Sequence, residues 1–410
     1  MPKKALIIAY YFPPLGMGGV QWTLKLSKYL KNYGFEPIIL TVKDISYYAY
    51  DLSLLDEINF KVIRTESLDP LRLRKLFGDT NDFGEVRRKW KFLSDLIFVP
   101  DNKILWLPFA ISCGFKIIKD IDIIFASAPP YTSLIVGALL KRVSGIPLVI
   151  DFREAWTDAH FIHYPTKTHS FMNRLLEEKI IRYAEAVTCV NEFVKKCLQN
   201  KYGKNISVLH TGYDSSDIVA KETTPKKFTI THAGTFTEFR SPEYFLTSLN
   251  ELIEEGKIPR EDIKLNLIGF IPPIYKSCAP TDVVKFTGYL PHKEIIRELQ
   301  NSSLLWIAVG EEEGKFMATG KIYEYLGTSK PILATAPDGA CANLIRETER
   351  GVVVPPTNIK AIKQAIYKFY VKFKKNELGA SFFPPAIEFD HKNIAKELAN
   401  LFNKVISMRI

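Results

Sequence analysis

Three features of the sequence predict an α/β fold of two doubly wound, parallel-sheet domains. Short apolar runs alternate with helical patterns along the chain, as in a parallel sheet covered on both faces. The alternation stops at a polar stretch, 214–227, and then restarts. The length of 410 residues exceeds one ordinary core and suits two domains of about 200 residues each.

The first run, Ala5 to Tyr10, reads as a buried strand and leads into Tyr-Phe-Pro-Pro. A glycine-rich loop follows, Gly16-Met17-Gly18-Gly19, then an amphipathic helix over Val20 to Tyr33, which Gly34 suits as a left-handed terminator. Pro37 to Val42 and Phe60 to Thr65 are the next strands. Ile121 to Ser127, Pro147 to Phe152, Ala186 to Val190 and Ile206 to Leu209 complete the first series. Asp214 to Lys227 ends in Thr-Thr-Pro-Lys-Lys, carries no core pattern and reads as the linker. The second series is Phe228 to His232, Lys264 to Ile268, Val283 to Phe286, Leu304 to Val309, Pro331 to Ala334 and Gly351 to Val354. Helical patterns cover Pro242 to Glu254, His292 to Gln300, Ile359 to Lys374 and His391 to Ser407. The expected domains are 1–213 and 228–390, with the terminal helix 391–410 crossing back to the N-terminal domain.

Composition narrows the class. Hydrophobic residues make up 47% of the chain, so a sizeable core is available and long disorder is not expected. No run of 18 or more apolar residues marks a spanning helix. Met1-Pro-Lys-Lys leads directly into a strand-like run rather than a signal peptide, and a cytoplasmic protein is expected. The five cysteines are far apart and lie in apolar runs, as buried free thiols do. The histidines lack metal-binding spacing, and no protein-bound metal is expected. A net charge of +10 could attract nucleic acid, anionic lipid or an acidic small molecule. No nucleic-acid module accompanies it, so nucleic acid is not an expected partner.

Ligands of doubly wound sheets bind beyond the carboxyl ends of the strands. The informative loops therefore follow Tyr10, Phe152, His232, Ile268, Phe286 and Val309. Gly16, Gly18 and Gly19 open a helix and let backbone N–H groups approach an anion. Their spacing is not the G-x-G-x-x-G of a dinucleotide site. Asp151-Phe-Arg153-Glu154-Ala-Trp156 puts three charges at a strand end, where burial demands a partner or a ligand. An Asp–Arg pair and a ligand both satisfy that demand. His160 and His163 follow in the same loop. In His232-Ala-Gly234-Thr235, the glycine permits close backbone approach, and Arg240 offers a planar fork suited to phosphate oxygens. In Gly320-Lys321-Ile322-Tyr-Glu324, a cation stands at a helix N-terminus, where the macrodipole disfavours it unless an anion is bound. Glu324 shares its helix face and suits a pair of ribose hydroxyls. Phosphate at the helix start and ribose one turn in are the chemistry of a sugar nucleotide.

The motifs resemble the retaining GT-B glycosyltransferases of family 4 over essentially the whole chain. The resemblance rests on Gly320-Lys-Ile-Tyr-Glu-Tyr-Leu-Gly-Thr-Ser-Lys-Pro-Ile-Leu333 and on the ordered series His210-Thr-Gly212-Tyr-Asp214, His232-Ala-Gly234-Thr, Leu267-Ile-Gly269 and Phe286-Thr-Gly288-Tyr-Leu290. It implies a GT-B fold with a cleft between two Rossmann-like domains. It implies that Gly18 and Gly19 offer N–H groups to the donor diphosphate, that Arg240 meets the same diphosphate, and that Lys321 with neighbouring amides such as that of Ile322 holds phosphate. Glu324 would match the second glutamate of the family's E-x7-E motif and bind ribose, with backbone near Leu290 on the base. Gly234, Thr235 and Gly269 fall in the donor-binding loops. The chain departs from the pattern at Phe316, where the first glutamate would stand, and at Thr235, where an arginine is usual. Arg153 occupies the place of a histidine that lies near the transferred sugar in many members.

The activity implied is transfer of a sugar from a nucleotide-diphosphate donor to an acceptor hydroxyl with retention and without a bound metal. The nucleotide sugar is a substrate, and no permanent cofactor is implied. Asp151, Arg153, Glu154 and His160 are the candidate catalytic residues. Cell-surface polysaccharide or glycolipid synthesis is the expected setting, with a lipid-linked or saccharide acceptor. Leu71-Arg-Leu-Arg-Lys-Leu-Phe77 and Arg87-Arg-Lys-Trp-Lys-Phe-Leu93 mix cations with large apolar residues, as a surface resting on the anionic inner face of a membrane does. A solvated helix pair is the plainer reading of the same segments. A nucleotide-sugar epimerase of the same fold and a non-catalytic nucleotide-sugar-binding partner protein are the competing readings. A dinucleotide-dependent redox enzyme is disfavoured by the glycine spacing.

Overall fold

The computed structural model describes residues 2–47, 49–76, 94, 96–158, 164–218, 225–237, 240–276, 282–311, 320–378 and 386–408. The chain divides into two compact units, 1–210 with 391–410 and 211–390. Residues 214–218 of the expected linker thus belong to the second unit.

The first unit holds β1 (Lys3–Ile8), β2 (Phe35–Val42), β3 (Lys61–Thr65), β4 (Ile123–Ala128), β5 (Leu148–Phe152), β6 (Ala186–Cys189) and β7 (Ser207–Val208). They form one parallel sheet in the order β3-β2-β1-β4-β5-β6-β7. The order reverses between β1 and β4, which opens a crevice at that sheet's carboxyl edge. Met17, at φ 81°, opens the helix Gly18–Leu30. Gly34, at φ 85°, takes the left-handed turn that ends its 3-10 extension. The terminal helix His391–Ser407 packs in this unit, with Ile394, Leu398 and Phe402 in its core. The Phe402 ring meets Phe35 at 5.3 Å and Phe125 at 5.8 Å, both edge-on, and such pairs add to area burial.

The second unit holds β8 (Phe228–Ala233), β9 (Ile263–Ile268), β10 (Val284–Gly288), β11 (Leu304–Ala308), β12 (Ile332–Thr335) and β13 (Gly351–Val354). Their order is β10-β9-β8-β11-β12-β13, again parallel, with the reversal between β8 and β11. Alternate side chains feed two cores. Leu304, Trp306 and Ala308 join one, while Leu305, Ile307 and Val309 join the other. Asn358 caps the helix Ile359–Lys374 by accepting from the Ala361 N–H at 3.0 Å, a contribution of about 1 kcal/mol.

Every expected strand has a counterpart in the sheets, in the expected order. Cys113, Cys189, Cys197 and Cys341 are free thiols, and burial pushes Cys189 and Cys341 up to about 12. No helix among the described residues is long and apolar enough to cross a membrane.

Candidate functional site

In the first unit, the carboxyl edge of β4, β5 and β6 gathers one charged residue and its donors. Strand register puts Ser127 and Thr188 on either side of Asp151. Both hydroxyls donate to its carboxylate at 2.8 Å, and the Trp22 indole N–H donates to Oδ2 at 2.9 Å. Asp151 is 0% exposed. The Arg153 guanidinium lies 3.6 Å from the Trp22 ring centre, 3.6 Å from Asp151 Oδ1, and donates to the Leu209 carbonyl at 2.8 Å. A buried carboxylate with three donors and a cation is a satisfied group. Asp151, expected as a candidate catalytic residue, is thereby occupied in holding Trp22 and Arg153 in place.

Glu154, three residues on, is the opposite case. No side chain among the described residues bonds it, and burial pushes its carboxyl up to about 7. Tyr131 leaves β4 as Glu154 leaves its neighbour β5. The Tyr131 ring stacks on Trp156 at 4.5 Å with a 6° tilt. Its hydroxyl is buried and has no partner among the described residues, as is the case for that of Tyr164. Burial, then the Glu154 carboxylate, raises the Tyr131 pKa. The loop is held from below. Trp156 Nε1 donates to Asn173 Oδ1 at 3.0 Å. Thr157, Lys201 and Tyr202 all donate to Glu177, with the latter two at 2.8 and 2.6 Å. His160 and His163 lie outside the described residues. Gly18 and Gly19 are exposed, and a side chain added at either would meet open space.

In the second unit, the ends of β8, β9 and β10 are laced through glycines. Gly234 N–H donates to the Ile268 carbonyl and Gly269 N–H to the Gly288 carbonyl, both at 2.7 Å. Gly269 has φ 116°, and a Cβ there would stand 2.3 Å from the Gly234 oxygen. Packing and backbone conformation thus account for this glycine, which was expected as a donor contact. At Gly234 a Cβ would stand 2.3 Å from Lys321 Nζ and 2.8 Å from His232 Nε2. The bare glycine lets Lys321 Nζ and His232 Nε2 close over the backbone there.

The helix Gly320–Gly327 is set by its buried face, Ile322, Tyr323, Tyr325 and Leu326. Ile322 is core, so only its amide is available to a ligand. The Tyr325 hydroxyl accepts from the Ala233 N–H at 2.9 Å and donates to the Trp306 carbonyl at 3.3 Å. That tie fixes Lys321 beside the end of β8. Burial first, then the Lys321 charge, lowers the His232 pKa, and the Arg240 charge adds to it. Glu324 lies one turn further on. His292 Nε2 donates to its Oε1 at 3.0 Å, and His292 Nδ1 lies 3.6 Å from Asp217 Oδ2. Thr235, next to Gly234, is half-buried, and Leu290 packs partly buried on the second unit's core. Phe316 and the acidic residues Glu312 and Glu313 lie outside the described residues.

Two family models match the chain. Glycosyltransferase Family 4 matches residues 17–217, and Glycosyl transferases group 1 matches residues 227–371. The chain is a family 4-like glycosyltransferase. This glycosyltransferase has no match among curated protein sequences. Solved structures share its fold along nearly the full length. Sucrose-phosphate synthase from Thermosynechococcus elongatus is 13% identical, with a TM-score of 0.68 over 99% of this chain and 100% of that one. Anabaena HepE in complex with UDP-glucose is 14% identical, with a TM-score of 0.63 over 98% and 99%. A UDP-N-acetylglucosamine 2-epimerase from Listeria monocytogenes, described as putative, is 14% identical, with a TM-score of 0.60 over 100% and 98%. The enzyme thus has the GT-B pairing of two Rossmann-like domains.

Sequence reasoning did not single out Trp22, Tyr131, His232 or His292. His232 carried a readable signal, standing two residues before a glycine at a strand end. Trp22 and Tyr131 reach their partners only through the fold.

Proposed function

We propose that this glycosyltransferase moves a sugar from a nucleotide-diphosphate donor to an acceptor hydroxyl with retention at the anomeric carbon. The observation that carries the reading is Lys321 Nζ lying against Gly234 at the end of β8, with Glu324 one turn along the same helix. Lys321, Arg240 and the amides that open the helix hold the diphosphate; Glu324 holds ribose through the oxygen that His292 leaves open. The chain near Leu290 takes the base. Gly18 and Gly19, at a helix start in the first unit, are proposed to offer backbone amides to an anion.

In the reaction the anomeric carbon loses its bond to the diphosphate oxygen and gains one to the acceptor oxygen. Negative charge grows on the leaving diphosphate, and prearranged cations and N–H groups stabilise it without reorganisation. The acceptor hydroxyl loses its proton to a leaving phosphate oxygen or to Glu154, whose raised pKa suits a base working near neutrality. Arg153, clamped on Trp22, is assigned to the transferred sugar. Asp151 positions that clamp.

The acceptor is proposed to be lipid-linked or a saccharide, in cell-envelope polysaccharide or glycolipid synthesis, with the enzyme resting on the inner membrane face. Helix Pro70–Leu76 supports this with Arg74 and Lys75 beside Leu76, which is 58% exposed; Arg72 is engaged with Glu66. The remainder of both basic segments, Phe77 and 87–93, lies outside the described residues. Flotation with anionic liposomes at low salt tests the membrane contact; failure to float removes it. Steady-state kinetics of Arg240→Ala, Lys321→Ala and Glu324→Ala test the donor site, and near wild-type turnover in all three contradicts it. NMR of the product's anomeric proton tests retention. Conversion of the sugar nucleotide without any acceptor supports an epimerase instead.

A further inference from the structure

The helix Lys167–Tyr183 has its amphipathicity inverted over its first half. Its inward side buries Asn173 and Glu177. Asn173 accepts from Trp156 Nε1, and Glu177 accepts from Lys201 and Tyr202. Its outward side carries Phe171, Met172 and Leu175, which are 66%, 43% and 39% exposed. Leu175 lies one helical turn beyond both Phe171 and Met172, so the three form one patch. An ordinary surface helix does the reverse, with its apolar stripe on the core and its polar face in water. His169 Nε2 donates to the Leu96 carbonyl at 2.9 Å, which brings the exposed Leu96 and Ile97 alongside. A contiguous exposed apolar patch with a polar rim marks an interaction site.

The rim is cationic. Lys167 stands one turn before Phe171, Arg174 one turn after it, and Lys179 one turn after Leu175, all exposed. Among the described residues no carboxylate is paired with any of these three. Glu178, on the same side, is paired with Arg182 at 2.8 Å. The occupant must therefore be apolar and negatively charged. A second copy would offer the apolar residues but set these cations against their own kind. An anionic bilayer offers hydrocarbon beneath negative headgroups. Resting on the membrane contact proposed above, we infer that the outward face of helix Lys167–Tyr183, with Leu96 and Ile97, is the surface that docks on an anionic lipid bilayer. Asn173 belongs to the same turn and holds Trp156 in the loop of Glu154, so the loop proposed to meet the acceptor is tied to the docking face.

The test is flotation of the full chain with phosphatidylcholine vesicles, with and without phosphatidylglycerol, at low and high salt. Wild type is expected to float with the phosphatidylglycerol vesicles at low salt and to be released as salt screens the charges. A variant with Phe171→Ser, Met172→Ser and Leu175→Ser should partition at least about tenfold more weakly. A second, with Lys167→Glu, Arg174→Glu and Lys179→Glu, should lose about a hundredfold. Leu76→Ser, in the other basic segment, should still float. All seven positions are exposed, and the wild-type arm needs no variant to fold. If wild type floats and both triple variants float equally well, the inference is overturned and the membrane contact stands elsewhere. If wild type does not float, both are overturned, while the donor-site reading keeps its own kinetic test. Dimerisation of wild type that the serine variant abolishes, without flotation, assigns the face to a second copy and also overturns the inference.

Discussion

Asp151 and Glu154 stand three residues apart at one sheet edge and have opposite surroundings. Asp151 receives Ser127, Thr188 and Trp22 and lies beside Arg153. Glu154 receives no side-chain donor among the described residues, and burial moves its titration towards neutrality. Two carboxylates in one short motif thus differ in what they can do. One is committed to structure by its neighbours on adjacent strands. The other is left able to exchange a proton. Residue type alone did not separate them; the donors around each one do.

The largest effect that could break this contrast is on stability. Asp151→Ala strands three buried donors and the Arg153 charge, and should cost about 3–5 kcal/mol. Glu154→Ala should lose none of that stability and should relieve the cost of ionising a buried carboxyl near and above pH 7. Denaturant unfolding of both variants checks the pair, and equal losses would contradict it. Next in size, Glu154→Gln should lower kcat about hundredfold if the carboxylate takes the acceptor's proton. Wild-type kcat/KM should rise through about pH 7, following the Glu154 carboxyl, and the variant should be flat there. Smaller again, Trp22→Phe keeps a ring under Arg153 but removes the N–H donor to Asp151, for about 1.5–3 kcal/mol in unfolding free energy.

The subtlest effect is the pH dependence of stability. The folded pKa of Glu154, about 7, lies above the ordinary value of 4.5. Between those values the folded chain binds the extra proton, so this residue makes stability fall as pH rises through that window. Glu154→Gln should remove that part of the slope in unfolding curves taken from pH 5 to 7.5.

The fold was largely legible because parallel strands buried on both faces read as apolar runs. Ile332–Thr335 and Ala5 to Ile8 are such runs, and helix His292–Gln300 matched its pattern end to end. The boundary at 210/211 was less legible, because Asp214 and Asp217 look like linker residues until Asp217 is found beside His292. Arg240, Lys321 and Glu324 were singled out because charge at a helix start or strand end is costly without a partner. The partners themselves were not. Trp22 lies 129 residues from Asp151, and His292 lies 32 from Glu324.

The central claim is that the second unit holds the donor's diphosphate at Lys321. The affinity of Lys321→Ala for UDP and for GDP, measured by calorimetry beside wild type, tests it most directly. Loss of a charge-assisted contact predicts binding weaker by about 10–100-fold for whichever nucleotide wild type prefers, with unchanged thermal stability. A variant that binds that nucleotide as tightly as wild type would contradict the account.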